Sequence, residues 1–102
     1  MLHPGRYLSN ELKTRGRTQK QFSDVLGKKV SEVNELINGK RNITIQRDLL
    51  LSAIFDDPEG KRIKLQNDYD FYTAKIKLDP KKLTDIKKRR NQISKEAVFT
   101  NF

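Results

Sequence analysis

The chain has 102 residues, 22 of them lysine or arginine and 13 aspartate or glutamate, giving a formal charge of +9 and room for one domain with a modest core. The absence of cysteine excludes a disulfide framework, a thiolate zinc site and a cysteine nucleophile, and the single histidine, His3, excludes a multi-histidine metal centre. No apolar run approaches the roughly 20 residues that a membrane span needs, and Met1-Leu2-His3-Pro4-Gly5 lacks the apolar stretch of a signal peptide.

The expectation is therefore a cytoplasmic protein with no cofactor and no membrane contact. An apolar fraction of 34% is low, but the apolar residues cluster in patterns, so a small folded unit with a polar part is expected. The excess positive charge implies a polyanionic partner, most often nucleic acid. That charge is uneven: residues 1–57 hold ten basic and seven acidic side chains, residues 58–102 twelve and six.

Pro4 opens the first helical pattern, where its missing N–H has no partner to lose. Tyr7, Leu8 and Leu12 share a face, and Gly16 supplies a left-handed stop. Thr18 with Gln21 three residues on forms a capping box for a second helix, whose buried stripe is Phe22, Val25 and Leu26 and whose end is Gly27. Val30, Val33, Leu36 and Ile37 give a third, closed by Asn38-Gly39. Thr44 caps a fourth, with Ile45, Leu49, Ala53 and Ile54 on one side, and Asp56-Asp57-Pro58-Glu59-Gly60 breaks it. Ile63, Leu65, Tyr69, Tyr72 and Ile76 suggest a fifth with an aromatic face. After Asp79-Pro80, Leu83, Ile86, Arg90, Ile93 and Ala97 outline a basic amphipathic helix over 80–98. Strand alternation persists nowhere, so the fold class is all-α.

Gln19 to Leu36 carries a sharper pattern. Counted from Gln19, positions four, eight, fifteen and eighteen are Phe22, Leu26, Val33 and Leu36; position five is Ser23 and position nine Gly27. Two short helices that cross steeply bury four such apolar side chains together. They need a small residue where the second passes over the first, and a turn residue that accepts positive φ. This is the spacing of a DNA-binding helix-turn-helix. Position ten, usually apolar, is Lys28, which with Lys29 makes the turn basic.

In such a motif the second helix enters the major groove, here with Ser31, Glu32, Asn34 and Glu35 outward. Asn34 can pair with adenine N6 and N7, and Ser31 can reach a base or phosphate. A carboxylate facing phosphates is repelled, so Glu32 is expected to pair with Lys28 or Lys29 rather than read cytosine. Thr18 and Gln19 at the start of the first motif helix, and Asn38, Lys40 and Arg41 after the second, are candidate phosphate contacts.

His3-Pro4-Gly5-x-Tyr7-Leu8, Glu11-Leu12, Arg15-Gly16-x-Thr18-Gln19-Lys20-x-Phe22, Leu26-Gly27 and Asn34-Glu35-x-Ile37-Asn38-Gly39-Lys40-Arg41-x-Ile43-Thr44 resemble HigA-type antitoxins, compact members of the Xre/Cro-like helix-turn-helix superfamily. The resemblance covers about residues 3–57. It implies a compact five-helix, lambda-repressor-like bundle, to which this chain adds a basic C-terminal helix. It also implies a homodimer formed through the C-terminal part (Ile63, Leu65, Tyr69 and Tyr72) and binding to palindromic double-stranded operator DNA in a bacterial nucleoid. Repression of its own operon and neutralisation of a RelE-like ribonuclease toxin follow from the same resemblance. Gly27-Lys28-Lys29 stands where many relatives have Gly-Val-Ser, and the tail from about Lys77 has no counterpart in short members.

The expected organisation is a helix-turn-helix domain with its dimerisation helix over 1–76 and a basic extension over 77–102. That extension extends the dimer interface, adds phosphate contacts or orders on the toxin; Val98-Phe99-Thr100-Asn101-Phe102 is an apolar chain end suited to docking. Two other functions remain open: an Xre-type regulator without a toxin, and a protein-interaction module that has lost DNA binding. An enzyme is not expected, since His3 has no evident nucleophile or carboxylate partner.

Overall fold

The computed structural model describes residues 1–95. Its helices are α1 (Pro4–Thr14), α2 (Gln19–Leu26), α3 (Val30–Ile37), α4 (Ile45–Phe55), α5 (Lys61–Lys77) and α6 (Pro80–Lys95). None of them is long and apolar enough to cross a membrane. The apolar segment 98–102 lies outside the described residues.

Local chemistry explains where four of the helices start. His3 caps α1: its Nδ1 accepts the Gly5 N–H at 3.0 Å, and Pro4 occupies the first turn. Thr18 Oγ1 accepts the Gln21 N–H at 3.1 Å while Gln21 Oε1 accepts the Thr18 N–H at 3.0 Å, which completes the expected capping box of α2. Thr44 Oγ1 caps α4 by accepting the Arg47 N–H. Asp79 Oδ1 accepts the Lys81 N–H at 3.0 Å, with Pro80 as the first residue of α6.

The chain forms two compact units, Met1–Tyr72 and the segment from Thr73 onward. The core belongs to the first: Leu8, Leu12, Phe22, Val33, Leu36, Ile37, Ile43, Leu51 and Phe55 are buried, with Leu26, Ile54 and Ile63 packed against them. Phe22 and Phe55 stack with centroids 5.6 Å apart. Gly5 lets α1 cross α3, because a Cβ there would fall on the Leu36 carbonyl oxygen.

Several expected stripes are corrected. Tyr7 and Val25 are exposed. On α4 the expected face is largely the outer one: Ile45 is 71% and Leu49 44% exposed, Ala53 is exposed and Ile54 only half-buried. The buried face is Asp48, Leu51, Ser52 and Phe55. On α5 the buried residues are Arg62 and Gln66, not the aromatic stripe; Tyr72 is exposed. The cause is one polar junction. Asp48 accepts backbone N–H groups of Gly60 (2.6 Å), Arg62 (2.8 Å) and Ile63 (2.8 Å), so its carboxylate caps α5 from α4. Gln66 Oε1 accepts the Ile43 N–H at 2.8 Å. Arg62 reaches Glu11 and Asp57, each at 2.8 Å, with its guanidinium 4.6 Å from the centre of the Phe55 ring.

These contacts set the protonation of the junction. Burial would raise the Asp48 carboxyl, but the amides of Gly60, Ile63 and Arg62 and the Arg62 charge outweigh it and hold its pKa below the usual value. The Arg62 hydrogen bond lowers Asp57 likewise.

In the second unit the Leu78 N–H bonds the Ala74 carbonyl at the end of α5. The described side chains of α6 are exposed, apart from half-buried Asp85.

Candidate nucleic-acid interface

α2 and α3 form the motif whose spacing the sequence shows. Phe22, Ser23, Val33 and Leu36 are all less than 5% exposed. Gly27 makes the turn in the left-handed region at φ 68°, and the Lys28 N–H closes it onto the Ser23 carbonyl at 3.0 Å. Ser23 is small where packing demands it, and its Oγ donates to the Lys20 carbonyl.

The outer surface of the pair carries a ladder of amides. Asn34 Nδ2 donates to Gln19 Oε1 at 3.2 Å, and Asn38 Nδ2 donates to Asn34 Oδ1 at 3.2 Å. Gln19, Asn34 and Asn38, all expected at the interface, are thus brought together. Asn34 keeps one N–H and one acceptor lone pair unused by the ladder, the two groups a bidentate contact to adenine requires. Ser31 is exposed beside it on α3. Lys28, Lys29 and Lys40 are exposed. Lys29 is the N-cap of α3 and makes no side-chain cap. Lys28 lines a concavity with Leu26, Val33 and Leu36. The hydroxyl oxygen of Thr18 and its N–H are engaged in the capping box, leaving its O–H as the group that can be donated outward.

The acidic residues find partners other than those expected. Glu35 Oε2 accepts from Arg41 Nε at 2.8 Å. Glu32 Oε1 lies 3.7 Å from Arg41 and 3.9 Å from Arg47, not beside Lys28 or Lys29. Glu32 and Glu35 are three residues apart and so share a helix face; the chain returning through Arg41 into α4 flanks that face. Arg41, expected as a phosphate contact, is thus engaged in an ion pair with Glu35 while its side chain stays 39% exposed. Arg47 is a residue of this site that the sequence reading missed, since it lies 15 residues from Glu32 on a different helix and no local spacing links the two.

Two further residues brace this surface. His3 sends Nε2 to within 3.3 Å of Asn42 Oδ1 and sets its ring edge-on to Tyr69, 5.0 Å between centroids. A Cβ at Gly39 would lie 3.2 Å from the His3 ring, so the turn after α3 passes close to the residue that caps α1. Among the candidate dimerisation residues, Ile63 packs against the core, Leu65 and Tyr69 are half-buried and Tyr72 is exposed.

Comparison with known proteins fits this geometry. Residues 8–56 match the helix-turn-helix family model. Comparison with curated proteins gives no match. Among solved structures, the chain is similar to the Pseudomonas aeruginosa antitoxin HigA with the higBA promoter, with a TM-score of 0.68, 23% identity and coverage of 78% of this chain and 96% of that one. A HigA-family addiction module antidote protein from Coxiella burnetii matches with a TM-score of 0.68, 26% identity and coverage of 99% and 97%. The PA4674 protein of Pseudomonas aeruginosa, in complex with its 28-bp operator DNA, matches with a TM-score of 0.68, 26% identity and coverage of 72% and 81%.

Residues 8–56 are thus similar to the helix-turn-helix family, with α2 and α3 as the two helices of the motif. The chain has the fold of the HigA antitoxins and related antidote proteins.

Proposed function

We propose that this chain is the antitoxin of a type II toxin–antitoxin system. It binds operator DNA as a dimer, represses its own operon and neutralises a RelE-like ribonuclease toxin. The observation that carries the DNA half is the Gln19–Asn34–Asn38 amide ladder on the outer face of the motif, with α3's two carboxylates neutralised by Arg41 and Arg47. The operator complexes of the similar PA4674 protein support it.

Asn34 reads adenine and Ser31 a neighbouring base or phosphate. Thr18, Gln19, Lys28, Lys29, Asn38 and Lys40 hold the backbone. Glu32, Glu35 and Arg41 fix the electrostatics of the reading helix rather than contacting DNA. Residues 1–76 form the DNA-binding and dimerising part, in which Leu65, Tyr69 and Tyr72 supply the apolar contact between two copies. Residues 77–102 form the extension.

Fluorescence anisotropy with a duplex from the region upstream of its own gene tests the reading. The protein should prefer that duplex over a scrambled one by about 1,000-fold or more, and Asn34→Ala should cut that preference by roughly 5- to 150-fold. Equal affinity for both duplexes would remove the repressor function. The toxin half stands on co-purification with the product of the adjacent reading frame, and failure to form that complex would leave a regulator without a toxin.

A further inference from the structure

The second unit holds positive charge that the helix-turn-helix does not use. Residues 75–95 contain nine basic and two acidic side chains. On α6, Lys81 and Lys88 lie one heptad apart on one ridge, and Lys82 and Arg89 lie one heptad apart on the next. With 100° per residue all four fall within about 120° of arc, and each ridge spaces its charges by about 10 Å. All four are exposed. Asp85 sits among them, yet among the described residues none of these cations has a carboxylate within 4.0 Å, although ion pairs of that kind occur at Lys20–Asp24 and Lys61–Asp57. Four cations side by side around a single carboxylate, with no ion pair of their own among the described residues, repel one another, and an external polyanion relieves that repulsion.

We propose that α6 is a second nucleic-acid-binding element, which grips the phosphate backbone of duplex DNA through Lys81, Lys82, Lys88 and Arg89 without reading sequence. A straight helix with two parallel rows of charge complements a regular line of phosphates better than it does the scattered carboxylates of a folded acidic protein. The choice of duplex DNA rests on the operator reading above; the polyanion contact rests on α6 alone. The first unit makes the need plain. Its thirteen basic side chains face ten acidic ones, and Lys20, Arg41, Arg47, Lys61 and Arg62 are all paired internally.

The test compares the full chain with the Lys81→Gln/Lys82→Gln/Lys88→Gln/Arg89→Gln variant on two 30-bp duplexes, one upstream and one scrambled, across a salt series. Each phosphate contact adds about 0.9 to the slope of log K against log[salt]. The variant should therefore lose about 2–4 from that slope and bind both duplexes more weakly by the same factor, about tenfold or more at low salt. The charge-keeping variant Lys81→Arg/Lys82→Arg/Lys88→Arg/Arg89→Lys should retain the slope, which separates lost charge from lost folding. Asn34→Ala should weaken the upstream duplex only. If the unaltered chain binds both duplexes equally while the neutralised variant still loses slope, the operator reading falls and this one stands. An unchanged slope and affinity in the neutralised variant would overturn it. So would a loss confined to an RNA hairpin or to polyglutamate, which would assign α6 to a different polyanion.

Discussion

Asp48→Asn is the sharpest probe of how α5 is held. Asp48 is 2% exposed. Its Oδ1 accepts from Arg62 and Ile63, and its Oδ2 accepts from Gly60. Asparagine keeps one acceptor and turns an NH₂ group toward a backbone donor. One charge-assisted hydrogen bond, about 1.5–3 kcal/mol, is then lost outright, and two others fall to neutral strength. The expected cost at pH 7 is about 3–4 kcal/mol, a large part of the roughly 5–15 kcal/mol that holds a small domain. Urea unfolding followed by circular dichroism from pH 7 to pH 2 measures it. The folded-state pKa of Asp48 is below its ordinary value. Its contribution is therefore fully present above the ordinary carboxylate pKa of about 3.9 and is lost as pH falls through the folded value. Asparagine does not titrate, and the other carboxylates titrate in both proteins. The gap between them should shrink below about 1 kcal/mol in strong acid, because a protonated Asp48 resembles asparagine. A gap that stays constant with pH, or is under about 0.5 kcal/mol at pH 7, would refute the capping role.

Gly5→Ala should lose about 3 kcal/mol or more by thermal melting, since its methyl falls on the Leu36 carbonyl and forces α1 from α3; a melting point unmoved by the change would deny the close approach. Arg62→Met, which leaves Glu11 and Asp57 without their buried partner, should cost about 3–5 kcal/mol in urea titrations. A neutral result there would mean that desolvation cancels the pairing. Arg41→Gln exposes the charge of Glu35 and should weaken the upstream duplex about two- to fivefold, with Glu35→Gln in the same background restoring it. Failure of the second change to rescue the first would show that Arg41 acts by another route, such as direct phosphate contact.

The helix-turn-helix was legible because its constraint is steric and local. Ser23 must be small and Gly27 must turn left-handed, whatever else the chain does. The faces of α4 and α5 were not legible, because polar groups distant in sequence determine them. Asp48 meets amides 12 to 15 residues on, Gln66 meets Ile43 across 23, and Arg62 meets Glu11 across 51. Apolar periodicity weighs Ile45 and Leu49 and is blind to an aspartate that supplies the start of the next helix. The pattern was present all the same: Asp48, Leu51, Ser52 and Phe55 fall at helical spacing, so Asp48 occupies a core position in a register that Leu51 and Phe55 define. A charged residue in such a register signals a buried cap, provided that a helix start lacking its own cap follows nearby. Gly60-Lys61-Arg62 is such a start.

The same use of polar groups redistributes the charge of the chain. A low apolar fraction leaves a small core, and the first unit compensates by pairing arginines with its own carboxylates: Arg62 buried on Glu11 and Asp57, Arg41 at the surface on Glu35, Arg47 toward Glu32. Each such pair offsets a cation that would otherwise attract DNA. The outer face of the motif keeps a row of amides, which discriminate bases well and attract phosphates weakly, with the exposed Lys28, Lys29 and Lys40 beside it as its backbone contacts. On α6 the balance is reversed, with cations in excess and no amide ladder among the described residues. On the two proposals together, the first unit supplies the selectivity and the second adds salt-sensitive affinity to that of Lys28, Lys29 and Lys40, so the two contributions are separable by mutation. Neutralising α6 should lower binding to every duplex alike, whereas altering Asn34 should change only which duplex is preferred.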